Sequence, residues 1–305
     1  MRRSLTAPFG DMRSGLFVAM AEWAAKKVHD LAASRERTWK ANLLMAVEDV
    51  DVLKRHFDFI LNIVQPKGFI KVVGLTGRTD EERLFAGLPD LTQEFSRKGV
   101  FASWTVISAA SFGENLKAGI ETFGGAFFKP NLLFLTLPEE EERDEELAEI
   151  IKTSISNRIG VLLLSGESMA GLGKPDWLNV WFHDRGPDWE VSMDLGNQDL
   201  ALLIGYKLKV NWRARLRLVA SVPEAEQDGA ATQFLRSVAD MARIPVDEFT
   251  TQWAEADTPL KSVRSDISII PMPESPDFQF LRRISSNVGT PCVFTRDSGD
   301  KNVLA

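Results

Sequence analysis

The chain alternates between short apolar runs and longer amphipathic stretches from Trp39 to about residue 295. The apolar runs are continuous instead of alternating with polar residues, as in strands that are covered on both faces of a sheet. Helical stretches of about ten to fifteen residues separate them, so crossover connections and a mostly parallel sheet are expected. The predicted strands are residues 42–47, 69–75, 100–108, 131–137, 159–164, 177–182, 215–222, 246–254, 267–270 and 290–295.

Three of the predicted helices carry a start signal. Residues 79–82 and 111–114 match the capping box, in which a hydroxyl residue precedes a glutamate by three positions. The acidic run 139–142 opens another helix, where carboxylates complement the positive end of the helix dipole. The predicted helices are residues 50–64, 79–97, 111–123, 138–156, 197–206, 227–242 and 276–286. The pattern predicts an α/β fold of doubly wound, mostly parallel sheet with helices on both faces.

A further amphipathic helix is predicted over residues 13–32, ahead of the first strand. Its apolar residues recur at spacings of three and four, and Lys26, Lys27 and Asp30 lie opposite them. Because this helix stands outside the strand–helix alternation, its apolar stripe is expected to contact a second copy of the chain or to dock at a membrane. The candidate interface residues are Phe17, Met20, Trp23, Val28 and Leu31, with Ala24 also on the stripe.

Two short internal matches indicate that the chain contains two related halves. Residues 155–161 match residues 284–290 without a gap, and at both places a helix ends, a glycine follows and a strand begins. Trp39 and Trp212 each lead into an apolar strand and are expected to occupy comparable positions. Glycine and proline cluster at residues 166–176, which favours a boundary there. The predicted organisation is a basic lead-in over residues 1–36, a first α/β subdomain over residues 37–166 and a second, shorter one over residues 177–305.

Composition excludes several classes of protein. The chain has 305 residues, a net charge of −7 and a pI near 5.2, which argue against a nucleic-acid binder held by phosphate contacts. The single cysteine, Cys292, excludes an intrachain disulfide, and three histidines leave little for a multi-histidine metal centre. Apolar runs such as residues 132–135 stop far short of the roughly 18 that span a bilayer. A cytoplasmic protein without a metal or a cofactor is expected.

The charge is unevenly distributed along the chain. Residues 1–40 contain eight basic and four acidic side chains, a balance of +4, which leaves −11 for the rest of the chain. A basic arm on an acidic body suits a segment held near anionic lipid headgroups or an acidic partner. A solvated helix face has the same composition and is the alternative interpretation.

Each candidate catalytic motif lacks a required residue. Residues 166–171 resemble a nucleophile elbow, but an alanine replaces its second glycine. Residues 168–175 resemble a phosphate-binding loop, but serine replaces its first glycine and proline its Mg²⁺-binding hydroxyl residue. His183 is followed by Asp184 and Arg185, yet nothing nearby completes a catalytic triad. We therefore predict no catalytic residues and no enzyme activity.

Glu48 and Asp49 are the weak candidates for nucleotide binding. They follow the first predicted strand at its carboxyl end, where open α/β sheets bind ligands. No glycine-rich loop accompanies them. Carboxylates at the start of a helix, stabilised by the helix dipole, are the alternative interpretation.

Several stretches occur in the order found in one protein family. Residues 10–16 resemble the segment that leaves a last membrane span, and residues 37–44 resemble an Arg-x-Trp-Arg-Pro approach to a first cytosolic strand. Residues 129–133 match a Lys-Pro-Asn-x-Leu strand start. Residues 179–182 and 200–206 are similar to Asp-Val-Trp-Trp and Leu-Leu-Ile-Pro-Tyr. Together they resemble the cytoplasmic C-terminal domain of a cation–chloride cotransporter, of the compact prokaryotic kind.

The resemblance implies a non-catalytic domain that regulates and dimerises an electroneutral transporter of chloride with Na⁺ or K⁺, at the cytoplasmic side of the cell membrane. The transport core lies outside this chain. The implied partners are a second copy, giving a homodimer, and the membrane domain of the same transporter, with no nucleic acid. Ala41 and Gly205 depart from the family, which has proline at both positions.

The family's cytosolic domain is also similar in fold to universal stress proteins. Those proteins bind ATP through a Gly-x₂-Gly-x₉-Gly-Ser/Thr pattern, which is missing at Gly160 and at Gly289. The alternative function is therefore a stand-alone nucleotide-binding protein of the universal stress type.

Overall fold

The structure is a computed structural model, and it describes residues 39–76, 81–108, 112–124, 129–165, 174–183, 185–192, 195–253, 263–299 and 303. The strands are β1 (Leu43–Val47), β2 (Phe69–Thr76), β3 (Phe101–Ser108), β4 (Leu132–Thr136), β5 (Gly160–Ser165), β6 (Trp177–Phe182), β7 (Arg215–Val222), β8 (Glu248–Trp253), β9 (Ile267–Pro271) and β10 (Cys292–Arg296). The helices are α1 (Val50–Arg55), α2 (Phe57–Val64), α3 (Glu81–Arg97), α4 (Phe112–Gly124), α5 (Asp144–Ser156), α6 (Gln198–Trp212), α7 (Asp228–Ala242) and α8 (Phe278–Val288).

The strands form one sheet in the order β3-β2-β1-β4-β5-β10-β9-β6-β7-β8. All neighbours are parallel except β5 and β10, which are antiparallel. Each half places its first strand third from the outer edge, between its second and its fourth strand, as in doubly wound folds. The predicted fold class is confirmed, and the two related halves share a single continuous sheet.

A pseudo-two-fold axis at the β5–β10 pair relates the two halves. Leu164 pairs with Val293, the second of the five residue pairs in this antiparallel ladder. The internal match of residues 155–161 with residues 284–290 sets an offset of 129 residues (284 minus 155), which relates Leu164 to Val293. The matched stretches therefore lie at equivalent places, the junctions of α5 with β5 and of α8 with β10.

The prediction that Trp39 and Trp212 occupy comparable positions is wrong. The equivalent central strands are β1 and β6. Trp39 precedes β1, whereas Trp212 is the last residue of α6, between β6 and β7. The positions differ because Trp212 leads into β7, the second strand of its half, whereas Trp39 leads into β1, the first strand of its half. In addition, α6 does not end near Tyr206, as its sequence pattern predicts, but continues for six more residues to Trp212.

Helices cover both faces of the sheet. On one face, α1, α2, α3, α6 and α7 pack against strand residues such as Leu43 and Met45. On the other face, α4, α5 and α8 pack against the alternate residues, such as Leu44. The predicted helix over residues 50–64 is two helices, because the backbone of His56 leaves the helical region between α1 and α2.

Gly205 brings α6 close to the sheet. A Cβ atom at this position would lie 2.4 Å from Val180 Cγ2 of β6, closer than any side chain tolerates. Gly205 is one of the two positions where this chain lacks the family's proline. The structure leaves no room for a Cβ atom there.

Candidate functional site

A cleft opens where the strand order of the first half reverses. β1 lies between β2 and β4, and the helices that follow β1 and β4 pack on opposite faces of the sheet. The carboxyl ends of β1 and β4 therefore leave a crevice between them. Its volume is about 230 Å³, and it is lined by Ala46, Val47, Glu48, Asp49, Val52, Leu53, Phe112, Phe134, Leu135, Thr136, Pro138, Arg143 and Leu147. Both predicted carboxylates line it.

Arg143 closes one side of this cleft. Its Nη1 donates to Glu48 Oε2 at 3.0 Å, and its Nε donates to Glu146 Oε2 at 3.1 Å. The guanidinium carbon lies 4.3 Å from the centre of the Phe112 ring. Glu146 Oε1 in turn accepts the N–H of Gly113 at 2.7 Å. The guanidinium is thus fixed by two carboxylates and an aromatic face, and Glu48 has a cationic partner within its own chain.

Asp49 serves as the N-cap of α1. Its carboxylate accepts the backbone N–H of Asp51 at 3.0 Å, as the helix-start interpretation predicts. Pockets for drug-sized ligands measure about 300–1,000 Å³, so the cleft of about 230 Å³ is small for a nucleotide. Nucleotide binding by Glu48 and Asp49 stays a prediction, and both carboxylates already have partners in the chain.

The equivalent edge of the second half is bridged by hydrogen bonds of the chain itself. His183 Nε2 donates to the carbonyl of Pro271 at 2.8 Å, across the ends of β6 and β9. The Asn197 amide donates to the carbonyl of Met272 and accepts the N–H of Asp297 at 2.7 Å. The segments that follow β6, β9 and β10 are therefore joined where the first half has its cleft.

The fully buried carboxylate of Asp199 fixes the start of α6 in the same region. It accepts the N–H of Leu195 at 3.1 Å and that of Val303 at 2.6 Å. A buried carboxylate needs such partners, because a bare charge in an apolar interior is costly. Asp199 thereby ties a residue near the end of the chain to the second half.

The reactive side chains of the described region are buried or bonded to the backbone. Burial raises the pKa of the Cys292 thiol to about 12, so it is not a thiolate at neutral pH. Burial, with a smaller contribution from Arg55, lowers the pKa of His56 to about 4. Within the described ranges, no group of three or more His, Cys, Asp or Glu is placed to hold a metal ion. Residues 166–173, which carry the stretch that resembles a nucleophile elbow and most of the stretch that resembles a phosphate-binding loop, lie outside those ranges, as does Asp184.

Asn131, in the Lys-Pro-Asn stretch, joins the starts of two strands. Its Oδ1 accepts the N–H of Asn42 at 2.9 Å, and its Nδ2 donates to the carbonyl of Lys40 at 2.8 Å. Asn179, in the stretch 179–182 that is similar to Asp-Val-Trp-Trp, donates to the carbonyl of Val263 at 2.8 Å. These two asparagines, in the stretches that carry the resemblance, therefore have structural roles.

Sequence reasoning missed Arg143, Phe112 and Glu146. The one available signal was a basic residue directly after the acidic run 139–142. Its pairing with Glu48, 95 residues away, is set by the sheet order and is not visible in any local pattern.

The predicted interface helix lies outside the described residues. This applies to residues 13–32 and to Phe17, Met20, Trp23, Val28 and Leu31. Of the helices that are described, none combines the length and the apolar character needed to cross a membrane.

Comparisons with known proteins match nearly the whole chain. Two family models, for the first and the second part of the C-terminal domain of prokaryotic cation-chloride cotransporters, match residues 45–172 and 173–304. A solved structure of the cytoplasmic domain of a prokaryotic cation chloride cotransporter is 43% identical, with a TM-score of 0.77. The alignment covers 87% of this chain and 99% of that one. A search of curated proteins found no match.

Universal stress proteins share the fold at low identity. A putative universal stress protein from Pseudomonas aeruginosa is 13% identical, with a TM-score of 0.56 over 84% of this chain and 92% of its own. One from Archaeoglobus fulgidus is 9% identical, with a TM-score of 0.56 over 85% of this chain and 97% of its own. These likenesses concern the fold alone.

The resemblance carried by the ordered stretches is thus confirmed by matches that together extend from residue 45 to residue 304. The chain belongs to the family of cytoplasmic C-terminal domains of prokaryotic cation–chloride cotransporters.

Proposed function

We propose that this chain is the non-catalytic regulatory and dimerisation module of an electroneutral cation–chloride cotransporter. The observation that carries the proposal is the family match over residues 45–304, together with 43% identity to a solved cytoplasmic domain. The module would lie at the cytoplasmic side of the cell membrane, next to the membrane domain of the same transporter. Chloride and the accompanying Na⁺ or K⁺ would bind in that membrane domain.

Contacts on both faces of the sheet join the two halves of the proposed module. On one face, Arg282 of α8 donates to both carboxylate oxygens of Asp144 at 2.9 and 2.5 Å. Such bidentate pairs are the strongest and most directional ion pairs. On the other face, Asn211 of α6 donates to the carbonyl of Asn62 at 2.6 Å and to that of Gln65 at 3.2 Å. Both contacts join the first half to the second.

The proposed organisation keeps a basic lead-in over residues 1–36, a first subdomain over residues 37–166 and a second over residues 177–305. The lead-in would connect the α/β body to the membrane domain, and its positive charge would be attracted to anionic headgroups. Its stripe, from Phe17 to Leu31, is the candidate contact to a second copy or to the membrane domain. A two-fold homodimer is the closed arrangement that one self-complementary patch produces.

A transport assay tests the regulatory role. The cotransporter that carries this domain would be reconstituted in vesicles, intact and truncated before residue 13, so that the predicted interface helix and the α/β body are both removed. We expect the truncated protein to retain chloride-coupled cation uptake, since the ion sites are elsewhere, and to lose the dimer and the response of its rate to regulatory conditions. Loss of ion binding itself would contradict the proposal, and so would uptake and assembly identical to those of the intact protein.

The second candidate function is nucleotide binding of the universal stress type. The observation that favours it is the position of Glu48 and Asp49 in the cleft between β1 and β4. A nucleotide would have to separate Arg143 from Glu48, a pair joined at 3.0 Å. A saturable rise in Tm with ATP, lost in Glu48→Gln, would establish this function, because a ligand that binds only the folded state stabilises it.

A further inference from the structure

The outer side of α6 carries an apolar stripe that faces away from the sheet. Leu203, Tyr206 and Val210 recur at spacings of three and four and so share one side of the helix. Leu203 is partly exposed, and the exposed fractions of Tyr206 and Val210 are 36% and 55%. The opposite side, with residues such as Ile204 and Leu208, is fully buried in the core. A helix with apolar residues on two opposite sides is usually covered on both of them.

The chain reaches the α/β body beside this stripe. The Trp39 ring lies against α6, with its centre 5.6 Å from Lys207 Nζ. Lys207 is next to Tyr206, and its pKa is lowered to about 8 by burial, so this part of the helix surface is already partly dehydrated. Trp39 Nε1 is shielded from solvent and has no acceptor in the part of the chain that the structure describes.

The length of chain before Trp39 limits where the amphipathic segment can lie. Residues 33–38 separate the end of the predicted helix from Trp39. The seven Cα–Cα steps from residue 32 to Trp39 span at most about 25 Å when fully extended. The end of the segment must therefore lie within that distance of Trp39, whose ring lies against α6. The exposed Met241 and Trp253 belong to α7 and β8, at the edge of the sheet seven strands from β1, about 33 Å away at the usual strand spacing, so they are out of reach.

The spacing of the two stripes is complementary. Ala24, Val28 and Leu31 recur at intervals of four and three, so the first and the last are seven positions apart. The three apolar residues of α6 have the same separation. Each stripe is about 10 Å long at the helical rise of 1.5 Å per residue. We propose that the part of the predicted helix nearest Trp39, with Ala24, Val28 and Leu31, packs on the α6 stripe of its own chain.

This docking leaves the earlier part of the segment free. Phe17, Met20 and Trp23 lie beyond the stretch that α6 can cover and stay available for the proposed contact with a second copy or the membrane domain. The lead-in of the first half would thus be anchored on a helix of the second half. The proposal deepens the proposed function by fixing the orientation of the lead-in, and it can fail separately.

Disulfide trapping in the full chain tests the proposal. Val210→Cys would be combined in turn with Ala24→Cys, Val28→Cys and Leu31→Cys, and each variant would be oxidised and analysed by non-reducing electrophoresis and peptide mapping. A disulfide needs Cα atoms about 4.4–6.8 Å apart, so it reports close packing. Cys292 does not interfere, because its thiol is buried.

We expect an intrachain disulfide in at least one of the three variants, formed at least tenfold faster than in two controls. One control pairs the same residues with Met241→Cys, on the equally exposed surface of α7. The other pairs Val210→Cys with Lys27→Cys, on the polar side of the predicted helix. Rates no faster than these controls would overturn the proposal.

The crosslinking experiment also distinguishes other binding positions of the segment. Disulfides that form only between chains would show that a second copy occupies the stripe, and a faster reaction with Phe85→Cys, beside the β3 edge, would show another seat. Either result overturns docking on the chain's own α6. A dimer in solution without the intrachain disulfide would leave the proposed function standing.

Discussion

Single side chains at strand starts and at close contacts determine how the elements within each half of this domain are joined. Asn131 uses both ends of its amide to hold residues 40–42 beside the start of β4. Gly205 removes a side chain where α6 meets Val180 of β6. Arg143 joins Glu48 and Glu146 across the cleft of the first half. Each of these residues acts on a partner that lies on another element, so each substitution should affect stability more than its local environment suggests.

Replacement of Asn131 by alanine should lower the free energy of unfolding by about 1–3 kcal/mol. The substitution removes two part-buried hydrogen bonds to the backbone, to the N–H of Asn42 and to the carbonyl of Lys40. Urea unfolding of the full chain measures the change. Asn62→Ala is the matched control, because its side-chain hydrogen bond is exposed and stays within its own helix, to the carbonyl of Asp58. It should change stability by less than about 0.5 kcal/mol. Equal effects of the two substitutions would contradict the role assigned to Asn131.

Gly205→Ala and Gly229→Ala should have effects of opposite sign. A methyl group at Gly205 would overlap Val180, and overpacking of this kind costs about 1–3 kcal/mol. Nothing lies within 4 Å of a Cβ at Gly229 in α7, so alanine there should add about 0.5–1 kcal/mol through helix propensity. Thermal unfolding measures both, and Val180→Ala should partly restore the Gly205→Ala variant. A stabilised Gly205→Ala variant would show that α6 and β6 are not in close contact.

At the scale of helices and strands, hydrophobic pattern predicted the existence and type of the elements well. The strand at Trp177–Phe182 and the strand at Arg215–Val222 have the predicted bounds, and other predicted strands agree within a few residues. The pattern failed at α6, because its polar residues are not gathered on one side of the helix and so do not mark its end at Trp212. It also missed the break at His56, because both sides of the break keep the same apolar spacing.

For the candidate site too, local features could be predicted from the sequence and contacts between distant elements could not. Glu48 and Asp49 could be placed at the carboxyl end of the first strand, because that position follows from the strand itself. Their partners could not all be placed. Asp51, the partner of Asp49, is local, whereas Arg143 reaches Glu48 only because β4 lies beside β1. Contacts that depend on the order of strands are not encoded in local periodicity.

The break between α1 and α2 should make stability depend on pH. His56 is buried, and its pKa falls from an ordinary 6.5 to about 4 because burial disfavours the charged ring. Between pH 4 and 6.5 the unfolded chain binds this proton and the folded chain does not, so stability falls as the pH is lowered through that window. His56→Gln should lose part of this dependence. Tm values of both proteins at pH 7.5, 6, 5 and 4.5 measure it, and parallel curves would refute the assignment.

At the scale of the whole molecule, a pseudo-two-fold domain is built from one chain. The antiparallel β5–β10 pair makes a single sheet of two parallel halves, and the first half has a cleft at its strand ends. In the equivalent region of the second half, Asn197 and Asp199 form hydrogen bonds with residues near the end of β10 and with Val303. The family match supports the proposed role as a module of a transporter over that of a stand-alone nucleotide-binding protein.

Sedimentation equilibrium of the chain at micromolar concentrations, with and without ATP, tests whether this domain is a dimerisation module. We expect a species of twice the 34.0 kDa chain mass, stable or in reversible equilibrium with the single chain, whose mass does not respond to ATP. Phe17→Asp combined with Met20→Asp should shift it toward the single chain if the free part of the stripe forms the contact. A single chain at every concentration, with a mass or a stability that changes on adding ATP, would contradict the account and favour the nucleotide-binding function.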